Sequence, residues 1–248
     1  MAEDFGVEGR GAFYDSVGAL RDVVQNHLLQ ALALVAMDPP SGDRADDTQD
    51  KKAEVFRAMP PADPQHYVRG QYQGYAEVPG VAPGSNTETY VALRLEIDNW
   101  RWADVPIFLP TGKALPRRVT EVRLFLRRTP RLAFLPQPTR AEPNQIVPRI
   151  DPDPGLRLQL PALAERSWRA VHLDTSFVRE LGEPPEPYER LLHAAIAGDH
   201  QLFARQDSVE ETWRIVQPLL AHPPGVLPYP RGSWGPGDAE TLVRGHPR

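Results

Sequence analysis

Residues 18–37 read GALRDVVQNHLLQALALVAM, and this stretch predicts a long helix that is buried on most sides. One set of apolar residues recurs at steps of three and four, as on one face of a helix: Leu20, Val24, Leu28, Ala31 and Val35. Further leucines between them widen the apolar face beyond that of a surface helix. The Pro39-Pro40 pair that follows ends the helix, because proline lacks a backbone N–H and restricts the residue before it.

Beyond this helix the apolar period becomes that of a strand. In residues 90–97, YVALRLEI, alternate side chains are apolar and face one side. The same alternation recurs in three later segments: 122–127, 156–160 and 171–177. Pro148 interrupts the apolar segment 145–150, which is therefore expected to be an edge strand or to contain a bulge. Two helices are predicted after these strands: residues 188–197 and 208–220. Because successive strands without intervening helices are typical of α+β proteins, the sequence predicts an α+β fold with a mostly antiparallel sheet and flanking helices.

Composition excludes several classes of function. The 248 residues include 28 Lys and Arg against 33 Asp and Glu, and the resulting net charge of −5 does not favour nucleic-acid binding. Cysteine is absent, so a disulfide or a thiolate metal site is excluded, and a cytoplasmic location is expected. The N-terminal residues carry no signal peptide, and the longest apolar run is too short to cross a membrane.

The sequence also lacks the motifs of several common sites. No glycine-rich turn follows a strand and opens a helix, as a dinucleotide-binding βαβ unit requires. The histidines show no H-x-x-x-H or HExxH spacing, so no metal site is expected. No GxSxG element is present for a nucleophilic serine.

His27 is the first candidate for chemistry. It lies in the predicted helix among the polar residues Arg21, Asp22, Gln25 and Asn26. One interpretation is a histidine satisfied within a core or interface; the other is a ligand site, because buried polar groups must hydrogen-bond to something. Asp22 and His27 are five residues apart, which is about 140° around an ideal helix. They can share one face only if a ligand lies between them or the helix is distorted.

Lys113 is the second candidate. It ends the segment Thr111-Gly-Lys113, directly after a predicted short strand over residues 105–109. A loop cation beside glycine can reach a phosphate or sugar oxygen. The alternative is a basic loop exposed to solvent.

Taken in chain order, these segments resemble the C-terminal domain of glucose-6-phosphate dehydrogenase. The block from residue 18 is the most specific of them. The matching stretches are 3–15 (EDFGVEGRGAFYD), 18–30 (GALRDVVQNHLLQ), 70–72 (GQY), 97–102 (IDNWRW), 105–106 (VP), 111–115 (TGKAL), 188–192 (YERLL), 198–199 (GD), 203–207 (FARQD), Trp213 and 232–236 (GSWGP).

The resemblance implies a function and a set of site residues. The family oxidises glucose 6-phosphate to 6-phosphogluconolactone with NADP, at the start of the pentose phosphate pathway. Its C-terminal domain is α+β, with a large, mostly antiparallel sheet that carries the dimer contact. By resemblance, His27 matches the general base, Asp22 and Glu3 match sugar-binding carboxylates, and Lys113 matches a substrate-binding lysine. Arg118 falls where the family places a second substrate-side cation.

Several departures from the family pattern accompany the match. No segment of these 248 residues resembles the family's Rossmann domain, so residues 1–248 are expected to form a single C-terminal-like domain. Within it, residues 1–17 would be a residual domain-junction segment and residues 221–248 a tail rich in proline and glycine. Three positions also differ: Pro110 replaces a usual arginine, Asp151 a usual glutamine and His193 a usual aspartate.

Two kinds of function stay open. The first is an NADP-dependent oxidoreductase, or its sugar-side half working with a Rossmann half on another chain. The second is an inactive, truncated homologue that serves as a dimerisation or interaction module. A third interpretation assigns no function, because the sequence would be a pseudogene fragment or would have a misassigned start codon. The isolated chain is expected not to turn over, because the seat of the hydride acceptor is absent. The expected partners are glucose 6-phosphate and either a second copy of the chain or a chain with a Rossmann domain, but neither nucleic acid nor a membrane.

Overall fold

The helix predicted over residues 18–37 forms in three consecutive pieces. In the computed structural model, which describes residues 1–127, 143–164 and 167–246, helix α1 spans Gly11–Ala19 and helix α2 spans Leu29–Ala36. Between them, Leu20–Leu28 form a π-helical segment, whose backbone hydrogen bonds span five residues rather than four. The predicted apolar face is confirmed at Leu20 and Val24, which are buried, but Leu28, Ala31 and Val35 are only partly buried. After the π-helical segment the buried positions are Leu29, Ala33 and Ala36, because π-helical hydrogen bonds add one residue to the repeat.

The chain divides into two compact units. The first unit comprises Met1–Arg117 and Pro185–Leu242, and the second comprises Arg118–Pro184 and Val243–Arg248. That residues 1–248 act as one domain stays a prediction.

The first unit contains a four-stranded sheet in the order β3-β2-β1-β9. Its strands are β1 (Tyr67–Tyr72), β2 (Tyr90–Leu95), β3 (Ile107–Gly112) and β9 (Val226–Tyr229). Strand β2 pairs antiparallel with both β1 and β3, whereas β9 joins β1 in parallel. The π-helical segment contacts strand β3 of this sheet.

Helices α3 (Ala45–Arg57) and α6 (Gln206–Ala221) contribute to one apolar core with the sheet. The unit also contains α5 (Pro187–Ala197), which is largely exposed, and the short α7 (Ala239–Leu242). Single turns of 3₁₀ helix occur at Pro64–His66 and Tyr75–Glu77. The core draws on the helices around the π-helical segment, on β2 and on α6, through Leu29, Phe56, Val91, Leu93, Ile97, Ile215, Val216 and Leu219.

The second unit contains an antiparallel sheet in the order β4-β6-β7-β8, with β5 also paired to β6. Its elements are β4 (Thr120–Glu121), β5 (Leu124–Phe125), β6 (Gln145–Asp151), β7 (Gly155–Ala164), β8 (Ser167–Ser176) and helix α4 (Phe177–Leu181).

Of the two alternatives predicted for residues 145–150, the edge strand is wrong, whereas a bulge-type irregularity is present: Thr120 and Glu121 pair with Asp151 and Arg149, which leaves Ile150 without an opposite residue on β4. Strand β6 has neighbours on both sides, and Pro148 pairs with Leu156 of β7. On the other side, the carbonyl of Pro148 accepts the N–H of Val122, in the gap between β4 and β5. A residue in a strand directs its N–H and its C=O to the same side. The N–H that proline lacks would therefore point into the gap between β4 and β5, where the hydrogen-bond ladder is already interrupted.

The predicted α+β class, with antiparallel sheets and flanking helices, is confirmed. The strands are distributed over two sheets rather than one. Among the residues that the structure describes, no helix combines the length and the apolar character needed to cross a membrane.

Candidate active site

The π-helical segment brings Asp22 and His27 onto one face. Its hydrogen bonds join residues five apart, as the N–H of Leu29 bonded to the carbonyl of Val24 shows. Residues five apart therefore lie nearly above one another, whereas an ideal α-helix would separate them by about 140°. The distortion that the spacing requires is present. His27 is exposed and Asp22 is partly buried, so His27 is not a histidine satisfied within the core.

Part of the polar character of this helix has a structural explanation. Gln25 is buried, and its amide Nε2 donates to the hydroxyl of Thr212 on α6 at 2.9 Å. The side chain of Arg21 donates to the carbonyl of Val17 at 3.3 Å, one turn earlier. Next to the imidazole, Nδ2 of Asn26 lies 3.5 Å from Nε2 of His27. The polar groups that stay available on the segment thus include the two that the resemblance singled out.

Lys113 is held against the N-terminal residues of the chain. Residues 2 and 3 run alongside the end of β3, where the N–H of Glu3 donates to the carbonyl of Gly112 at 3.0 Å. The ammonium of Lys113 forms an ion pair with the carboxylate of Glu3, and their side chains are only 12% and 17% exposed. The alternative of a basic loop exposed to solvent is therefore wrong. A cation held in so little water interacts more strongly with an anionic ligand than a surface lysine does.

The backbone of Lys113 is fixed as well as its side chain. Its N–H donates to the carbonyl of Thr89 at 2.9 Å, and its carbonyl accepts the hydroxyl of Tyr229 at 2.7 Å. Tyr229 is fully buried and contacts Tyr72 and Tyr90 edge to face, with ring centroids 6.5 and 5.7 Å away. A rigid aromatic cluster thus supports the residue that carries the cation.

Tyr14 connects these groups, and sequence reasoning missed it. Its ring lies 5.6 Å from the Lys113 ammonium, and its buried hydroxyl has no hydrogen-bond partner. Burial raises the pKa of Tyr14 well above its usual range, and the nearby groups Glu88, Tyr229, Asp22 and Glu3 add to the shift. The Lys113–Glu3 ion pair therefore lies beside the Tyr14 ring.

Arg118 belongs to the second unit, where it has a partner of its own. Its Nε and Nη2 donate to the two carboxylate oxygens of Asp151 at 2.6 and 2.7 Å. This is the two-pronged geometry that guanidinium groups form with carboxylates. One departure from the family pattern, Asp151, therefore acts directly on a predicted site residue. Of the other two, Pro110 pairs with Ala92 in the first sheet, and His193 is exposed on α5.

The described residues do not fit a dinucleotide seat. Such a seat needs a parallel pair of strands joined by one helix that follows a glycine-rich turn. The parallel pair found in the described sheets joins β1 to β9, which lie far apart in the sequence. In the described parts of the chain, no group of three acidic or histidine side chains could hold a metal ion either.

One buried ion pair lies outside the predicted set. Arg69 on β1 and Glu88, two residues before β2, are both buried and form an ion pair at 2.8 Å. A signal for them exists in the sequence, since a charge within an apolar strand requires a partner of opposite charge. The sequence does not say which residue that partner is.

Comparison with known proteins gives a consistent result. The family model "Glucose-6-phosphate dehydrogenase, C-terminal domain" matches residues 1–248. The chain is 71% identical, over 99% of its length, to glucose-6-phosphate 1-dehydrogenase 1 of Mycobacterium tuberculosis (strain CDC 1551 / Oshkosh), and covers 53% of that relative. It is 40% identical, over 98% of its length, to glucose-6-phosphate 1-dehydrogenase of Treponema pallidum (strain Nichols), and covers 52% of it. The chain thus spans about half the length of the curated relatives it matches.

Two solved structures share the fold. The crystal structure of glucose-6-phosphate 1-dehydrogenase from Mycobacterium avium matches with a TM-score of 0.92 and 67% identity, over 99% of this chain and 54% of that one. A glucose-6-phosphate dehydrogenase in complex with its substrate glucose-6-phosphate matches with a TM-score of 0.90 and 33% identity, over all of this chain and 54% of that one.

Proposed function

The chain belongs to the glucose-6-phosphate dehydrogenase family, through its C-terminal domain, and from this premise we propose that it binds glucose 6-phosphate and removes the proton of the sugar's C1 hydroxyl. The observation that carries the proposal is the π-helical segment, which places Asp22 and His27 on one face. Short π-helical insertions occur frequently at functional sites.

The proposed chemistry separates a proton from a hydride. Oxidation of the C1 hemiacetal to a lactone removes a proton from the hydroxyl oxygen and a hydride from the carbon. The imidazole of His27 takes the proton as general base, since histidine serves this role near neutral pH. The exposed position of His27 gives the sugar access to it.

Four charged residues orient the sugar phosphate in this proposal. Lys113 supplies a positive charge to substrate oxygens, and its ion pair with Glu3 holds the ammonium in place before the substrate arrives. Asp22 and Glu3 accept hydrogen bonds from sugar hydroxyls. By the family pattern Arg118 is the second substrate-side cation, and its guanidinium is paired with the carboxylate of Asp151.

NADP is the hydride acceptor in this proposal, and its binding site would lie outside the described residues. No step through NADP is therefore assigned to the side chains of this chain. The coenzyme-binding part would be contributed by a Rossmann domain, and a homo-oligomer in the cytoplasm is the proposed assembly and location.

A substitution at His27 tests the proposed role. In the protein at its natural length, His27→Asn should lower kcat by about 100- to 10,000-fold, as loss of a general base does, with a smaller change in KM for glucose 6-phosphate. His66→Asn is the matched control, because His66 is also partly exposed and lies outside the site. A His27→Asn variant with the kcat of the parent enzyme would overturn the proposal.

A second measurement tests the division of labour. The purified 248-residue chain should bind glucose 6-phosphate in a calorimetric titration but should not reduce NADP. Glucose-6-phosphate-dependent NADP reduction by this chain alone would show that the acceptor seat lies within it.

The alternative function is an inactive interaction module, and one observation favours it. Helix α5 exposes large apolar side chains, including Tyr188 at 80% and Ile196 at 88%. Exposed apolar groups of this kind promote association. A sedimentation experiment that finds a self-associating chain with no affinity for glucose 6-phosphate would support this alternative.

A further inference from the structure

The start of the π-helical segment is attached to a buried carboxylate. The carbonyl of Glu88 accepts the N–H of Ala19 at 3.0 Å, and Oε1 of its side chain accepts the N–H of Leu20 at 3.1 Å. Gly18 directs the chain toward this carboxylate, with a φ of 68° that a residue with a side chain rarely adopts. The first turn of the segment therefore has its position set by Glu88.

The carboxylate is held in turn by Arg69. Oε2 of Glu88 accepts from Nη2 of Arg69 at 2.8 Å, and the two side chains are only 7% and 9% exposed. The remaining guanidinium donors reach the carbonyls of Asn86 and Pro224 at 3.0 and 2.9 Å. Because every branch of Arg69 has a partner in the backbone or in Glu88, the pair cannot shift without leaving a buried charge unsatisfied.

The residue after Glu88 holds the other side of the site. The carbonyl of Thr89 accepts the N–H of Lys113 at 2.9 Å, and its own N–H donates to Gly70 on β1. Two consecutive residues thus link the helix that carries Asp22 and His27 to the strand end that carries Lys113.

We propose that Glu88, paired with Arg69, is a positioning residue for the reaction: it sets the place of Asp22 and His27 relative to Lys113. This inference rests on the proposed function. A buried ion pair is a weak source of stability, whereas it defines geometry sharply, and a displacement of about 1 Å can lower a rate by about 100-fold.

Two double variants separate positioning from stability. Arg69→Met with Glu88→Leu removes both charges and leaves the N–H of Leu20 without its acceptor. Arg69→Met with Glu88→Gln also removes both charges but keeps an oxygen that can accept that N–H. Neither variant leaves a buried charge unpaired, which is the usual cause of severe destabilisation at such sites.

The expected results concern kcat and the melting temperature, both measured on the protein at its natural length. The Met/Gln variant should keep kcat within about threefold of the parent, whereas the Met/Leu variant should lose about 10- to 100-fold in kcat at temperatures where both variants are fully folded. Lys51→Met with Glu54→Leu, which removes an exposed ion pair on α3, should change neither.

The outcomes distinguish this inference from the proposed function. If His27→Asn abolishes turnover but the Met/Leu and Met/Gln variants share one kcat, Glu88 does not position the site. If His27→Asn keeps the parent kcat, the proposed function itself fails. If both double variants lose melting temperature equally and keep kcat, the pair is structural only, and the inference is overturned.

Discussion

Replacement of Gly18 by alanine is the sharpest test of how the π-helical segment begins. Gly18 has φ and ψ of 68° and 174°, a combination that is essentially restricted to glycine. A Cβ atom at this position would lie 2.5 Å from Oε1 and 2.9 Å from the carboxyl carbon of Glu88. The carboxylate cannot move away freely, because Arg69 holds its other oxygen.

Two contributions determine the expected loss of stability. The backbone conformation costs a residue with a side chain on the order of 1–3 kcal/mol. Displacement of Glu88 weakens hydrogen bonds to a charged group, each of which contributes about 1.5–3 kcal/mol. The free energy of unfolding should therefore fall by about 3–5 kcal/mol in Gly18→Ala, out of the roughly 5–15 kcal/mol typical of a folded protein.

Gly84→Ala is the matched control for this measurement. Gly84 lies in the same compact unit and has a φ of 73°, but an added Cβ there would meet nothing within 4 Å. Urea unfolding followed by circular dichroism should show that Gly18→Ala is the more destabilised variant by about 2 kcal/mol, the share due to Glu88. The smaller entropy of the unfolded chain affects both variants alike and cancels. Equal losses in the two variants would refute the close contact with Glu88.

Three further predictions concern single side chains. Tyr14→Phe removes a buried hydroxyl that has no hydrogen-bond partner, so the free energy of unfolding should rise by up to about 1 kcal/mol and the melting temperature should rise with it. A lower melting temperature would mean that the hydroxyl is hydrogen-bonded in solution. The guanidinium of Arg205 holds the pKa of Asp207 below its usual range, so this carboxylate stabilises the fold above that range and the benefit disappears as the pH falls through and below about 4. Melting curves of Asp207→Asn and the parent should accordingly differ at pH 7 and converge toward pH 2. Asp151→Asn releases Arg118 from its carboxylate partner and should lower KM for glucose 6-phosphate by about two- to fivefold, the scale of an exposed ion pair, in steady-state assays; an unchanged KM would mean that Arg118 does not contact the substrate.

Local patterns were sufficient for the elements and for the family. The steps of three and four in residues 18–37 predicted a helix with a buried face, and Leu20 and Val24 are buried as expected, whereas beyond them the buried positions are Leu29, Ala33 and Ala36 instead of Leu28, Ala31 and Val35. The alternation in residues 90–97 predicted the strand that became β2. The sequence blocks at residues 3–15, 18–30 and 111–115 indicated the glucose-6-phosphate dehydrogenase family, and the family model and the structural matches confirm that family. These features depend on neighbours in the sequence, so a single sequence contains them.

The geometry of the site depends on residues that are distant in the chain. The five-residue spacing of Asp22 and His27 showed that a regular helix would separate them, but not how the helix would change. In the structure the helix becomes a π-helical segment, and its first residue, Leu20, donates its N–H to Glu88, which lies 68 residues later in the chain. For Lys113 the sequence left open an exposed basic loop, whereas in the structure Lys113 is largely buried and forms an ion pair with Glu3.

The amino-acid sequence by itself determined the α+β class, the main helices and strands and, through the family resemblance, the candidate groups, because periodicity and motif are local properties. Only the tertiary structure decided that Pro148 lies in an inner strand, that Arg69 finds Glu88 and that Arg118 finds Asp151. In each case a backbone hydrogen-bonding group or a charge finds its partner in a residue that only folding brings near. Nothing in the adjacent residues specifies that partner.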